Sequence, residues 1–70
     1  MAERVTATVL WYQPAKGYGF LRRDDGGPDA MVHSTVVHDA GRAELRKGEI
    51  VEFEPEQRNG RPSVKRLYES

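Results

Sequence analysis

Lys16, Tyr18, Phe20 and Arg22 recur at every second position of the stretch Lys16-Gly17-Tyr18-Gly19-Phe20-Leu21-Arg22-Arg23. Side chains on an extended strand alternate between its faces, so this spacing gathers two rings and two cations on one side. Gly17, Gly19, Leu21 and Arg23 take the other, where Leu21 suits a core and the glycines permit tight coiling or the close approach of a second segment. Cations attract phosphate, and a ring stacks on the π-face of any base. The chemistry implied is recognition rather than bond-making, and the ligand it suits is single-stranded nucleic acid. The same alternation also describes an amphipathic core strand with two ordinary aromatics, since rings favour strands in any case.

Bond-making constellations do not emerge. Ser34 follows His33, but strand neighbours point to opposite faces and make no nucleophile and base pair. His33 and His38, without Cys or clustered carboxylates, make no metal site. Asp24 and Asp25 lie in a Gly-rich loop where turn chemistry accounts for them. The two-glycine strand lacks the spacing and the following helix of a nucleotide-binding loop. No enzymatic activity, cofactor or small-molecule substrate is expected.

These side chains must be positioned by a small domain. Seventy residues make one unit, 1–70, that buries about 60% of its unfolded surface. The absence of Cys removes disulfide, zinc-ribbon and thiol-redox readings and agrees with a reducing compartment. The longest apolar run, Val9 to Tyr12, is far short of a membrane span, and Met1-Ala2-Glu3-Arg4 does not begin a secretory signal. A soluble cytoplasmic protein is expected, with no membrane partner and nothing that requires more than a monomer. Eleven cations balance eleven anions, so the whole-molecule field attracts no polyanion. Residues 49–57 nevertheless carry four Glu and no cation, and residues 58–66 four cations and no anion.

Thr6 to Gln13 reads as a first strand closed by Pro14. Its alternation fails at Leu10-Trp11-Tyr12, which predicts a bulge that turns two neighbours to one side; Trp11 is then exposed, or else fills the core. A second strand runs from Tyr18 to Arg23, and the loop Asp24-Asp25-Gly26-Gly27-Pro28 follows. Asp29 to Ser34 alternates again, with Ala30 and Val32 inward and Met31 and His33 outward beside the rings. Residues 35–48 read as a loop with one helical turn at most, Asp39 being the residue suited to cap a helix through Ala40, Ala43 and Leu45 to Gly48. Glu49 to Gln57 places Val51, Phe53 and Pro55 on one side and Glu52, Glu54 and Glu56 on the other. Pro55 cannot donate to a ladder and so belongs at an edge, a bulge or a strand end. Asn59-Gly60 sets a tight hairpin, and a fifth strand covers Ser63 to Tyr68. Five short strands with hairpin punctuation indicate an all-β antiparallel barrel.

Trp11-Tyr12-Gln13, Lys16-Gly17-Tyr18-Gly19-Phe20-Leu21 and Met31-Val32-His33 resemble the cold-shock domain family in order and spacing, across Val5 to Leu67. Lys16 to Leu21 resembles the family's first ribonucleoprotein motif, and Ala30 to His33 a weakened second. The resemblance implies a five-stranded OB-type barrel that binds single-stranded RNA or DNA with little sequence preference. By matching positions, Trp11, Tyr18, Phe20 and His33 would stack bases, Lys16 would meet phosphate or a base edge, Asp29 would accept a hydrogen bond from a base, and Arg61 would border the same groove. The chain departs from the family where Met31 replaces Phe, Ser34 follows His33 in place of a further aromatic, and Arg42 replaces an aromatic in the long loop. Leu10 stands where a Lys is frequent. Each lost stacking surface removes about 1–3 kcal/mol, partly offset by the polarisable Met31 and by Arg42 on phosphate or a base face. Weaker binding than that of the family's usual members is expected.

Two classes of function follow. One is a module that holds unpaired bases, as an RNA chaperone or gene-expression regulator. The other is a small barrel whose aromatic face docks an extended peptide, for which the flanking Lys16 and Arg22 have no purpose. The Glu52, Glu54 and Glu56 stripe is a solvated face or a dock for a basic partner, and in either case it repels phosphate from that side.

Overall fold

Each strand foreseen from alternation is present. The computed structural model describes residues 3–68. Its elements are the strands Val5–Gln13 (β1), Tyr18–Arg23 (β2) and Ala30–His33 (β3), the helix Ser34–Asp39 (α1), and the strands Ile50–Arg58 (β4) and Arg61–Tyr68 (β5). The strands close into a barrel in the order β1-β2-β3-β5-β4. Its pairings are antiparallel except at the seam between β3 and β5, where Met31 meets Ser63 in a parallel pair. None of the described helices is long and apolar enough to cross a membrane.

Alternation decides what fills the interior. Val5, Ala7 and Val9 from β1, Ala30 and Val32 from β3, and Val51 and Phe53 from β4 are buried at every second position. Phe53, fully buried, lies opposite Val5 on one side and Leu67 on the other. Val37 of α1 and Leu45 of the loop after it complete the cluster.

Three local expectations need correction. The helix lies earlier than the Asp39 signal implied: α1 starts at Ser34, Asp39 is its last residue, and His33 caps it by accepting a hydrogen bond from Thr35 N. Ser34 therefore leaves the third strand, which ends at His33. The strand alternation does not reach Lys16, which sits in the turn before β2 held by Lys16 N and Gly17 N donating to Gln13 O, at 3.0 and 2.9 Å, so of the four residues spaced by two only Tyr18, Phe20 and Arg22 lie on the strand. Finally, the acidic stripe of β4 is partly neutralised. Glu52 pairs with Arg4 at 3.0 Å, and Glu54 with Lys65 at 3.7 Å and with the Tyr68 hydroxyl at 3.4 Å. Arg4 also lies 4.1 Å above the Tyr68 ring.

Other local readings hold. The β1–β2 register slips between Val9 and Trp11, so Leu10 is the bulged residue. The β4–β5 register slips between Glu54 and Pro55, so Pro55 lies at a bulge, past Val5–Phe53, the last β1–β4 pair. Asn59 and Gly60 both take positive φ, 53° and 76°, which makes the two-residue turn that joins β4 to β5.

Candidate nucleic-acid interface

The bulge at Leu10 puts Trp11 opposite Phe20 and Gln13 opposite Tyr18. Trp11 thereby joins the outer rings instead of the core. Its ring centroid is 5.5 Å from that of Tyr18 and 5.4 Å from that of Phe20, while Tyr18 and Phe20 are 6.2 Å apart. Interplanar angles of 56° to 83° are those of edge-to-face packing, in which each ring braces its neighbours and keeps a face for a ligand. All three rings are half-buried.

Gly19 is what lets this cluster form. It pairs with Tyr12, and a Cβ there would lie 2.3 Å from Trp11 O and 2.7 Å from Tyr12 Cα. Only a residue without a side chain allows β1 and β2 to meet so closely beside the bulge. Gly17 serves differently, turning the chain with φ of 79°.

The third strand extends the face. Met31 lies opposite Phe20 and His33 opposite Tyr18. His33 is exposed, and Thr35 fixes its ring, with Thr35 N donating to His33 Nδ1 at 3.3 Å. Beyond Phe20 and Met31 the face runs into an open groove of about 530 Å³, lined also by Asp29, Arg58, Asn59, Arg61, Pro62 and Ser63. The result is a track with the exposed Lys16 beyond the Tyr18 end and Arg58 and Arg61 at the groove end.

Trp11, Tyr18, Phe20, Met31 and His33 are thus gathered on one surface, and Asp29 and Arg61 line the groove continuous with it. Arg22 is exposed on β2 opposite Thr8. Arg42 is placed differently: its Nη1 and Nη2 donate to the two carboxylate oxygens of Glu49, at 2.8 and 2.9 Å. Arg42, with Arg46 N adding a further bond, holds the Glu49 carboxyl below its usual range against the opposing effect of burial. Arg58 was not foreseen. Its signal was the Asn-Gly turn itself, because a two-residue turn sets Arg58 across from Arg61.

Asp25 and Tyr12, off the track, carry groups shifted from their ordinary values. The Asp25 carboxyl is lowered to about 2, chiefly by hydrogen bonds from Arg23 and then from Gly27 N; Arg23 Nε and Nη2 reach its oxygens at 3.0 and 2.8 Å. Burial raises the Tyr12 phenol, with the nearby charge of Glu44 adding to the effect. The Tyr12 hydroxyl oxygen is buried without a hydrogen-bond partner among the described residues.

A closed five-stranded barrel with a ring cluster, a flanking His and cations at both ends of an open track is the architecture of a nucleic-acid-binding OB-type domain. The family model of the "Cold-shock" DNA-binding domain matches residues 5–69, and the chain belongs to this cold-shock domain family. It is 37% identical over 67 residues to the cold shock-like protein CspA of Rickettsia bellii, covering 96% of each chain. It is 38% identical over 64 residues to the probable cold shock protein y4cH of Sinorhizobium fredii, covering 89% of this chain and 93% of that one. A 54-residue match at 44% identity to glycine-rich protein 2 of Nicotiana sylvestris covers 77% of this chain and 25% of that longer protein. The chain is accordingly of the nucleic-acid-binding cold-shock type, a class that is in general not enzymatic.

Proposed function

We propose that the chain binds single-stranded RNA or DNA with low sequence preference and acts, as a monomer, by keeping bases unpaired in the manner of an RNA chaperone or gene-expression regulator. The observation that carries this reading is the cluster of Trp11, Tyr18 and Phe20, whose centroids lie 5.4 to 6.2 Å apart and whose planes are mutually tilted. Tilted rings receive bases one at a time. Bases in a duplex have both faces occupied by their neighbours, so the site favours strands whose bases are free to splay. His33 and Met31 widen the platform, and Lys16 and Arg61 meet phosphates at its ends. Asp29 accepts a hydrogen bond from a base edge. No hydrolysis or cofactor is required, because holding unpaired bases by itself shifts the folding equilibrium of an RNA.

The platform is smaller than the family pattern implies. Met31 and Ser34 supply no ring, and Arg42 acts on phosphate only when it exchanges Glu49 for the ligand. Titration with a short pyrimidine oligonucleotide, read by Trp11 fluorescence, tests the reading. Quenching is expected, with affinity falling with salt by a slope of about 0.7 for each phosphate neutralised. An unchanged signal at micromolar protein and oligonucleotide, from protein shown to be folded, refutes it.

A further inference from the structure

The hairpin joining β4 to β5 carries chemistry that nucleic-acid binding does not use. Asn59, the sole asparagine of the chain, is followed by glycine, the residue that least hinders attack of a backbone nitrogen on the preceding amide. Both residues are exposed, and a Cβ built on Gly60 meets nothing within 4 Å, so the tip stands in open solvent. No side-chain hydrogen bond of Asn59 is found among the described residues. The bond that closes a two-residue turn is donated by the residue after it, here Arg61, which leaves the Gly60 nitrogen outside the turn's own bond.

The tip is also poorly braced. β1 pairs with β4 only over Ile50 to Phe53, and β3 meets β5 at Ser63. From Gln57 to Pro62 the hairpin is therefore a two-stranded ribbon, a form of marginal stability in water. Local opening of such a ribbon frees Asn59 to rotate about ψ and bring its side-chain carbon onto the Gly60 nitrogen.

The structure assigns to Asn59 a site of spontaneous deamidation, which turns a neutral side chain on the rim of the nucleic-acid groove, between Arg58 and Arg61, into a carboxylate. In the first step the Gly60 nitrogen, losing its proton, bonds to Asn59 Cγ, and the side-chain amide leaves as ammonia to give a succinimide. Water then opens one of the two ring carbonyls and yields aspartate or isoaspartate. No redox partner enters the balance. Aspartate keeps the turn, since Asp-Gly is as well suited to it as Asn-Gly. Isoaspartate adds an atom to the backbone and disturbs the pairing of Arg58 with Arg61. In both products a carboxylate faces the phosphates that these arginines attract. The effect on binding rests on the single-strand reading above, whereas formation of the product does not.

The test ages the purified protein in warm, mildly alkaline buffer, then separates charge variants by anion exchange and maps them by mass and isoaspartate content. An acidic species whose mass rises by the difference between an amide and an acid, located at Asn59, is expected. Asn59→Gly, which retains a glycine-compatible turn, forms none at this position and holds its affinity throughout the incubation. The acidic fraction, and Asn59→Asp as its charge equivalent, bind a short pyrimidine oligonucleotide about threefold more weakly at low salt, the Coulomb cost of one carboxylate about 6 Å from a phosphate in water. Added salt closes the gap. Failure of the folded protein to convert, while a free peptide of the same segment does, overturns the site. Equal binding by fresh and acidic forms overturns its consequence. Absence of oligonucleotide binding by fresh protein overturns the single-strand reading together with that consequence, while the mass readout still decides whether the site exists.

Discussion

Replacing Gly19 by alanine tests the contact on which the ring cluster depends. The added Cβ would lie 2.3 Å from Trp11 O, 2.7 Å from Tyr12 Cα and 3.0 Å from Tyr12 Cβ, where carbon contacts are comfortable at about 3.5–4.0 Å. Two of these atoms are backbone, so no rotamer change relieves the overlap and β1 must withdraw from β2 by about 1 Å. Overpacking of this kind costs about 1–3 kcal/mol, and each stretched ladder bond about 0.5–1.5 kcal/mol more. A total of about 3 kcal/mol is a large share of the roughly 4–10 kcal/mol expected for a domain of this length. In urea the midpoint should fall by about 2–3 M, with loss of the near-ultraviolet signal of Trp11 as the rings separate. Gly17→Ala is the internal control: its Cβ is 3.5 Å from Ser34 Oγ, and only the positive φ of 79° opposes it, at about 1–2 kcal/mol. A Gly19→Ala protein no less stable than Gly17→Ala would refute the close approach of β1 and β2 and the placement of Trp11 that follows from it.

Three further outcomes follow. Phe20→Ala should weaken oligonucleotide binding by about 1–3 kcal/mol while the domain still melts cooperatively, because Phe20 lies on the outer face; a chain already unfolded at room temperature would place Phe20 in the core. Tyr12→Phe should raise stability in chemical denaturation by about 1 kcal/mol, because it removes a buried hydroxyl without a partner; a loss of stability would show that the hydroxyl is bonded. The Asp25 carboxyl titrates at about 2 in the folded protein, below its unfolded value near 4. Its stabilising contribution is therefore complete above about pH 4 and lost as pH falls through about 2, and thermal melts of Asp25→Asn should show a shallower decline across that window.

Signals confined to neighbouring residues were the most legible in the sequence. Asn59-Gly60 specifies its turn because two adjacent residues tolerate positive φ, and Pro55 is confined to an edge, a bulge or a strand end because it has no donor for a ladder, the structure placing it at a bulge. The failed alternation at Leu10-Trp11-Tyr12 located the bulge, but whether Trp11 faces out depends on Gly19, which meets it only across the β1–β2 pair. The helix was misplaced because its cap is a histidine side chain and its body, Thr35-Val36-Val37, is β-branched and of low helix propensity. The burial of Val37 against the barrel decides the matter, and no local preference reports it. The neutralised acidic stripe was hidden for a related reason, since Arg4 meets Glu52 48 positions along the chain. On the candidate interface, Tyr18 and Phe20, spaced by two on one strand, were readable as neighbours on one face. Arg58 became visible only when hairpin geometry placed it across from Arg61.

The strand order has a kinetic consequence. β1, β2 and β3 are sequential neighbours joined by short connections, and β4 and β5 form a second local unit around a two-residue turn. The remaining contacts, β1 with β4 and β3 with β5, bridge the segment that holds α1 and the long loop. Folding can therefore proceed as the docking of a three-stranded meander onto a hairpin, with residues 34–49 as the tether between them. Loop-closure entropy grows only slowly with tether length, so the rate of closure is governed mainly by how often each half is already formed when they meet. The Asn59-Gly60 turn that shapes the rim of the groove is, on this account, also the nucleus of one half of the barrel.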